Sequence, residues 1–498
     1  MKNSIVLTIQ KTGINGEGIA YLKHKPVFIP HALVNETVSV TLCEENDTYA
    51  RAKVNSILKP SPMRITPSCS RCEGCALNFV KEEQQLAIKK DILSETLYKY
   101  ARIPSDLVRS VHTDHIHKGI RRQCKLPVGE VDGKLVSGLY ETGTNRFIPI
   151  EDCPMHTPEV ERIRKEVLRL CTGVLKAYDP KRGHGLRYLI IRSLNGQGQC
   201  TLVTGRDEIP APLVYSLSHI PGLTGLFQSI NTEKKGTSLF GSSIRKLAGS
   251  DWIETDLNGL KLRLSPRSFF QLNVPMAAQL YHTAVGKIDP CDVLVETYCG
   301  IGAMSLLAHE NANTDIGIAS VPEAIENADA NAGTNGIENC HFFAADAAEG
   351  LQNVLVRMPV DTLLADPPRA GMDQAMIQTI LSSSITKIIY VTCNPATLAK
   401  NLHALAGSYH PVTIIPFDLF PDTPHVESIT VLVRNGMHDT KKKKYRKKKK
   451  NAVSLQQGKQ NASDRNRQRP QRKTAVLFLQ SLPHLPQRKI SARSEPSD

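Results

Sequence analysis

The chain has no run of the roughly 18 consecutive apolar residues that a membrane-crossing helix needs. Its opening, MKNSIVLTIQ, lacks the apolar stretch and small-residue cleavage site of a secretory leader. No membrane association is expected, and a soluble, cytoplasmic protein is. No internal repeat is visible along the 498 residues, a length that calls for roughly two to four domains. Net charge is also missing from most of the chain. The formal total is +14, yet residues 440–498 hold 18 Lys/Arg against 3 Asp/Glu, which leaves 44 against 45 in residues 1–439. The basicity is therefore a tail. KKKKYRKKKK (441–450) and the Gln/Asn/Arg/Ser/Pro-rich stretch after it cannot bury enough apolar surface to offset ordering, so disorder is expected there. Near a polyanion such a tail adds salt-dependent, sequence-blind attraction.

What is present begins with 12 cysteines and a 41% hydrophobic content, enough for real cores. In a long cytoplasmic chain the cysteines argue against a disulfide framework and for metal or catalytic use of a subset. CSRCEGC places Cys69, Cys72 and Cys75 at x2 spacing, and Cys153 in EDCPMH is the nearest fourth. Thiolates this close in sequence converge on one ion or cluster. The spacing suits a ferredoxin-type [4Fe–4S] cluster, and four-cysteine zinc is the competing reading. His112, His115 and His117 in HTDHIH have no carboxylate or cysteine pattern beside them and are expected to face solvent.

Residues 1–60 carry five short β-rich runs (IVLTI, GIAYL, PVFIP, TVSVTL, ARAKVNSIL) broken by turns such as GINGEG, as in a small oligonucleotide-binding barrel. A helix is expected over KEEQQLAIKKDILSETLYKYA, with Leu86, Leu93 and Leu97 inward and Lys89, Lys90 and Lys99 outward. Residues 61–265 mix strands with a helix at 158–176 and read as a central α+β domain. From 266 to 435, short apolar strands alternate with helices, which predicts an α/β, doubly wound, Rossmann-like domain. Residues 436–498 form the basic tail.

In an open parallel sheet, ligands bind outside the carboxyl ends of the strands, and four such ends here carry polar tips. VLVETYCGIG supplies Glu296, Tyr298, Gly300 and Gly302, although the full G-x-G-x-x-G is missing and a plain tight turn would explain a glycine pair. CHFFAAD ends at Asp346. LLADPPRAG puts Asp366 before two prolines, which stiffen the turn and remove two amide donors. YVTCNP places Cys393 at a fourth tip. Most free cysteines are buried and inert; the company of the other three tips sets this one apart.

Taken together, SPRSFFQLN (265–273), ETYCGIG, DPPRAG, VTCNPATLAKNL (391–402) and HVESITVLVR (425–434) resemble the bacterial RNA uracil-5-methyltransferase family. Those members that act on 23S ribosomal RNA and carry an iron–sulfur cluster are the most similar. The resemblance runs through most of residues 1–435. It implies a TRAM-like barrel that binds RNA, S-adenosylmethionine as cofactor, and a cluster on Cys69, Cys72, Cys75 and Cys153. It further implies that Cys393 is the nucleophile at uracil C6, Glu427 the base that removes the C5 proton, and Asp366 the group that holds the uracil edge. Gln271, Tyr298, Gly300, Gly302, Asp346 and Asp366 fall at cofactor-binding positions. Phe269 and Phe270 are expected in the core. The expected partner is RNA, 23S ribosomal RNA in particular, bound by a monomer.

Two positions depart from the family pattern. Ala319 stands where an acidic residue normally holds the cofactor ribose, and Ala303 where a polar residue is usual. The cysteines are also more tightly spaced than in similar members. These departures leave two other readings beside the ribosomal RNA enzyme: a tRNA uracil-5-methyltransferase, and an RNA-binding assembly factor with impaired cofactor binding. The joint presence of Cys393, Glu427, Asp366 and Gln271 favours the enzyme, because binding alone needs no nucleophile and base.

Overall fold

A computed structural model describes residues 4–67, 69, 74–141, 144, 146–233 and 238–436. Cys72 and the basic tail from residue 437 onward lie outside the described residues.

The N-terminal segment forms a six-stranded sheet in the order Ile5–Thr8, Thr37–Glu45, Ala50–Lys59, Lys25–Ile29, Gly18–Leu22, Lys11–Thr12. Alternation drives it: Val38 and Val40 are fully buried while Thr37, Ser39 and Thr41 between them are half-buried, the period-2 pattern of a strand with one wet face. Leu7, Ile9, Val27, Ile29 and Ala52 complete the core. The Gln10 N–H donates to the Ile19 carbonyl at 2.9 Å and draws the first strand toward the third, which curls the sheet. The five expected strands are present, with Lys11–Thr12 as a short sixth.

The helix Glu82–Ala101 carries a correction. Its buried residues include Gln85, Ile88, Lys89, Ile92, Leu93 and Leu97, spaced by threes and fours along one face. Lys89 lies on that stripe, fully buried against Asp418, and Leu86 sits on its flank, half-buried. The expectation of an outward Lys89 failed because a carboxylate from the far end of the chain meets it. The central domain is a seven-stranded sheet in which Gln123–Val131 lies between Leu186–Leu194 and Lys134–Tyr140. The helices Pro158–Cys171 and Ala211–Ser218 cover one face through Val160, Ile163, Val167, Leu213 and Leu217.

The C-terminal sheet holds β1 (Cys291–Thr297), β2 (Ala312–Ala319), β3 (Cys340–Ala344), β4 (Thr362–Ala365), β5 (Lys387–Thr392), β6 (Tyr409–Phe417) and β7 (Glu427–Arg434). Their order is β3-β2-β1-β4-β5-β7-β6, with β1 to β5 parallel and β7 antiparallel to both neighbours. The strands are buried on both faces, as short Val/Ile/Leu-rich parallel strands require. The hairpin Ile253–Leu257/Leu260–Leu264 packs into this core through Ile253, Leu257, Leu262 and Leu264, so by packing this unit begins near residue 250. Among the described residues, no helix is long and apolar enough to cross a membrane.

Candidate active site

Strand order reverses between β1 and β4, and open parallel sheets bind ligands beyond the carboxyl ends of the strands at such a switch point. β1 leads into Tyr298, whose φ of 65° is a left-handed conformation that a bulky residue adopts only under constraint. β4 leads into Asp366, whose N–H points to the Thr297 carbonyl at 3.5 Å across the switch point.

β5 ends at Thr392, which pairs with Ser428 of antiparallel β7. One step further, register places Cys393 opposite Glu427. Asn394 then caps the helix Pro395–Leu405: its side chain accepts from the Ala396 N–H at 3.1 Å and donates to the Arg369 carbonyl at 2.8 Å. That bond ties the turn after β5 to the turn after β4. Arg369 in turn shares a 3.1 Å hydrogen bond with His425, two residues before Glu427. Cys393, Asp366, Glu427 and Arg369 thus come together from three strand ends.

The electrostatics of the group follow from burial. Glu427 is 5% exposed, and burial, reinforced by the Asp366 charge, pushes its carboxyl up to about 8. Burial pushes Asp366 up to about 7. Near neutral pH burial therefore biases both carboxyls toward the neutral form. Burial first, then the charges of Glu427 and Asp366, raise the Cys393 thiol to about 11, against the pull of the Arg369 cation and its hydrogen bond. Cys393 is nonetheless half-buried, not sealed in as Cys124, Cys171 and Cys200 are. His425 is pushed down to about 4 by burial, with Arg369 second, so it stays neutral.

The expected cofactor positions ring the neighbouring strand ends. Gln271 is buried beside the phenol of Tyr281, a residue the sequence did not single out. Burial drives the Tyr281 phenol well above its ordinary range, and the charges of Asp366 and Glu296 add to that. Glu296 is 1% exposed, accepts from the Ser305 N–H at 2.7 Å and hydroxyl at 2.5 Å, and is held up at about 8 by burial. The two glycines differ. A Cβ on Gly302 would meet the Phe342 ring at 2.7 Å, so packing demands that glycine; one on Gly300 would meet nothing within 4 Å and faces open space. Gly300, the left-handed Tyr298 turn and the buried hydroxyl of Thr297, which has no hydrogen-bond partner among the described residues, suit a bound S-adenosylmethionine. Asp346 caps the helix Ala347–Leu355, accepting from the N–H groups of Ala348 and Glu349. Ala319 ends β2 at 8% exposed, and Glu323, the second residue of the next helix (Pro322–Thr334), faces Arg267 at 3.8 Å. Ala303 is buried as the first residue of Ala303–Ala308.

Cys69, Cys75 and Cys153 line one small cavity together with Asn78, Asp152 and Met155. Burial raises the Cys153 thiol, opposed by the N–H groups of Met155 and His156. Among the described residues, no set of three His, Cys, Asp or Glu is close enough to hold a metal ion, and Cys72 falls outside that description. Cys69, Cys75 and Cys153 border the same cavity without converging on a common ion position among the described residues.

Two expectations fail in part. Phe270 is buried as expected, but Phe269 is 66% exposed. His112 and His115 are exposed, though His112 stacks on Phe417 at 4.8 Å; His117 is half-buried between Glu82 and Asp422, whose charges raise its pKa. The carboxylates that meet His117 come from residues 82 and 422, outside the HTDHIH segment.

Comparison with known proteins accords with this geometry. The tRNA (Uracil-5-)-methyltransferase family model matches residues 249–435, and the TRAM domain model matches residues 5–54. An uncharacterised RNA methyltransferase of Listeria innocua is 32% identical over 448 residues, covering 86% of this chain and 97% of the relative. One of Bacillus cereus is 33% identical over 442 residues, covering 86% and 96%. The crystal structure of Pyrococcus abyssi tRNA (uracil-54, C5)-methyltransferase with S-adenosyl-L-homocysteine superposes with a TM-score of 0.70 at 23% identity, covering 86% of this chain and all of that one; it shows a shared fold. The chain belongs to the S-adenosylmethionine-dependent RNA uracil-5-methyltransferase family.

Proposed function

We propose that this enzyme methylates C5 of one uridine in 23S ribosomal RNA through a covalent Cys393 adduct. The observation that carries the reading is the register that sets Cys393 opposite Glu427, with Asp366 and Arg369 at the adjoining strand end. Uracil C5 is a weak nucleophile. Attack of the Cys393 sulfur on C6 forms an S–C bond and moves the ring's C5=C6 electrons toward O4, which makes C5 enolate-like. S-adenosylmethionine supplies the electrophilic methyl group. Glu427 then takes the C5 proton, the double bond re-forms, and the sulfur leaves as thiolate. Asp366, when ionised, accepts from uracil N3–H and holds the ring against the sulfur. Arg369 favours the thiolate, whose proton leaves to solvent before the attack, and Glu427 acts as base from its ionised form.

The ribosomal target draws on the cysteine set and the TRAM barrel. In this reading Cys69, Cys72, Cys75 and Cys153 hold a [4Fe–4S] cluster that staples the segment after the barrel, with zinc as the rival occupant. Protein purified without oxygen should be brown and contain iron; stoichiometric zinc without iron would reverse that assignment. The target is tested by mapping 5-methyluridine in total RNA from cells with and without the gene. Loss of one 5-methyluridine from 23S ribosomal RNA is expected. Loss from tRNA alone would move the substrate to tRNA, and no loss anywhere would favour a binding role.

A further inference from the structure

The central sheet has two faces, and only one is covered by helices. Leu126, Val128, Leu189, Ile191, Cys200 and Leu202 point into the core beneath Pro158–Cys171. Their alternates point the other way. Tyr188 pairs with Pro127, Ile190 with Lys125 and Arg192 with Gln123, so Lys125, Tyr188 and Arg192 share the second face. Tyr140, five residues beyond Leu135 of the helix-side core, falls on that second face as well.

Part of this face is closed, with Gln123, Ile190 and Arg192 buried, and its open part carries aromatic rings and cations: Lys125 is exposed and Tyr188 half-buried. Tyr140 is 54% exposed, and its ring meets Phe147 edge-on at 5.8 Å. Phe147 lies over bare backbone: a Cβ on Gly129 or Gly138 would touch its ring at 2.8 Å. The Arg187 guanidinium sits 5.4 Å from the Tyr188 ring and 5.1 Å from that of Tyr178. Its Nη1 donates to the carbonyl and side-chain oxygens of Asn231, at 3.1 and 3.0 Å. Among the described residues, no carboxylate lies within ion-pair distance of Lys125 or Arg187. Their positive charge is therefore unspent. The strand also leads to the active site. Four residues on from Tyr188, about 13 Å at the usual strand rise, Arg192 donates to the carbonyls of Ser265 and Ser268, next to the exposed Phe269 and close to Gln271.

We propose that the face bearing Lys125, Tyr140, Phe147, Arg187 and Tyr188 is a stacking platform for unpaired nucleotides flanking the target uridine. Bases stack on the rings and the phosphate chain meets Lys125 and Arg187, as sheet-borne aromatics do elsewhere in single-strand recognition. The inference rests on the reading that RNA is the substrate.

Binding of a labelled single-stranded RNA containing uridine, and of a duplex of the same sequence, tests it by anisotropy. Tyr140→Ala should weaken single-strand binding about 5- to 150-fold, the range for loss of one base–aromatic stack. Tyr140→Phe should stay within about twofold of wild type, and both variants should keep the wild-type unfolding midpoint and S-adenosylmethionine affinity. Lys125→Gln should lower the slope of log affinity against log salt by about one. Wild-type affinity in Tyr140→Ala, an equal loss on duplex, or an unchanged slope in Lys125→Gln would overturn the platform. Wild-type methylation of RNA is read in parallel, so failure of the platform is distinguishable from failure of the substrate reading.

Discussion

At the head of β7, Glu427 is a carboxyl that folding holds near 8, against 4.5 for the ordinary side chain, and burial is the main cause. The folded protein therefore binds a proton there that the unfolded chain has released. The resulting stability is fully present below pH 4.5 and is lost as the pH rises through 8. Glu427→Gln keeps the neutral shape and removes the titration. Its unfolding free energy should match wild type at pH 4 and exceed it above pH 8 by on the order of a few kcal/mol, as read from denaturant midpoints at both pH values. Parallel curves would mean that Glu427 is not buried as neutral acid. On the proposed mechanism the same variant lacks the base, so methylated covalent adduct should accumulate where wild type turns over. Turnover at the wild-type rate would place the base elsewhere.

Among the elements, the helix Glu82–Ala101 shows what the sequence could and could not reveal. Its helical period was legible, and so was the apolar stripe through Leu93 and Leu97. That Lys89 belongs to the stripe was not, because its partner Asp418 lies 329 residues away and no local pattern signals it. The same holds for Tyr281 and His425, whose surroundings exist only once β1, β4, β5 and β7 are assembled. Cys393, Asp366 and Asp346 were legible because each ends an apolar run at a strand tip, where parallel sheets place ligands. Lys89→Met would strand the Asp418 carboxylate, of which one oxygen already has no partner among the described residues, and should cost about 3–5 kcal/mol. Adding Asp418→Leu should return most of that. A single-variant cost below about 0.5 kcal/mol in chemical denaturation would show that the pair contributes nothing. The Lys89 ammonium also donates to the Phe420 carbonyl at 2.9 Å, so this helix holds the loop that leads to Glu427.

On the scale of the whole molecule, the site draws on segments hundreds of residues apart. Gly16 of the barrel's GINGEG turn approaches both Leu77, beside the cysteines, and Pro424, just before Glu427. The Leu77 N–H donates to the Asp422 carbonyl at 2.8 Å, and Gln85 brackets Asp422 through its amide. The barrel, the cysteine segment and the base-bearing strand meet at one junction, while Arg192 joins the central sheet to the Ser265–Ser268 turn. The sequence composition separated these parts, and their meeting is tertiary. All of them converge on one chemical claim, that Cys393 bonds to uracil C6. RNA containing 5-fluorouridine tests it, because fluorine cannot leave as a cation after methyl transfer. Incubated with S-adenosylmethionine, the wild-type enzyme should form an adduct that survives denaturing electrophoresis and maps by mass spectrometry to Cys393, and Cys393→Ser should form none. An adduct that persists in Cys393→Ser, or a wild-type enzyme that methylates uridine yet never traps the fluorinated RNA, would contradict the account.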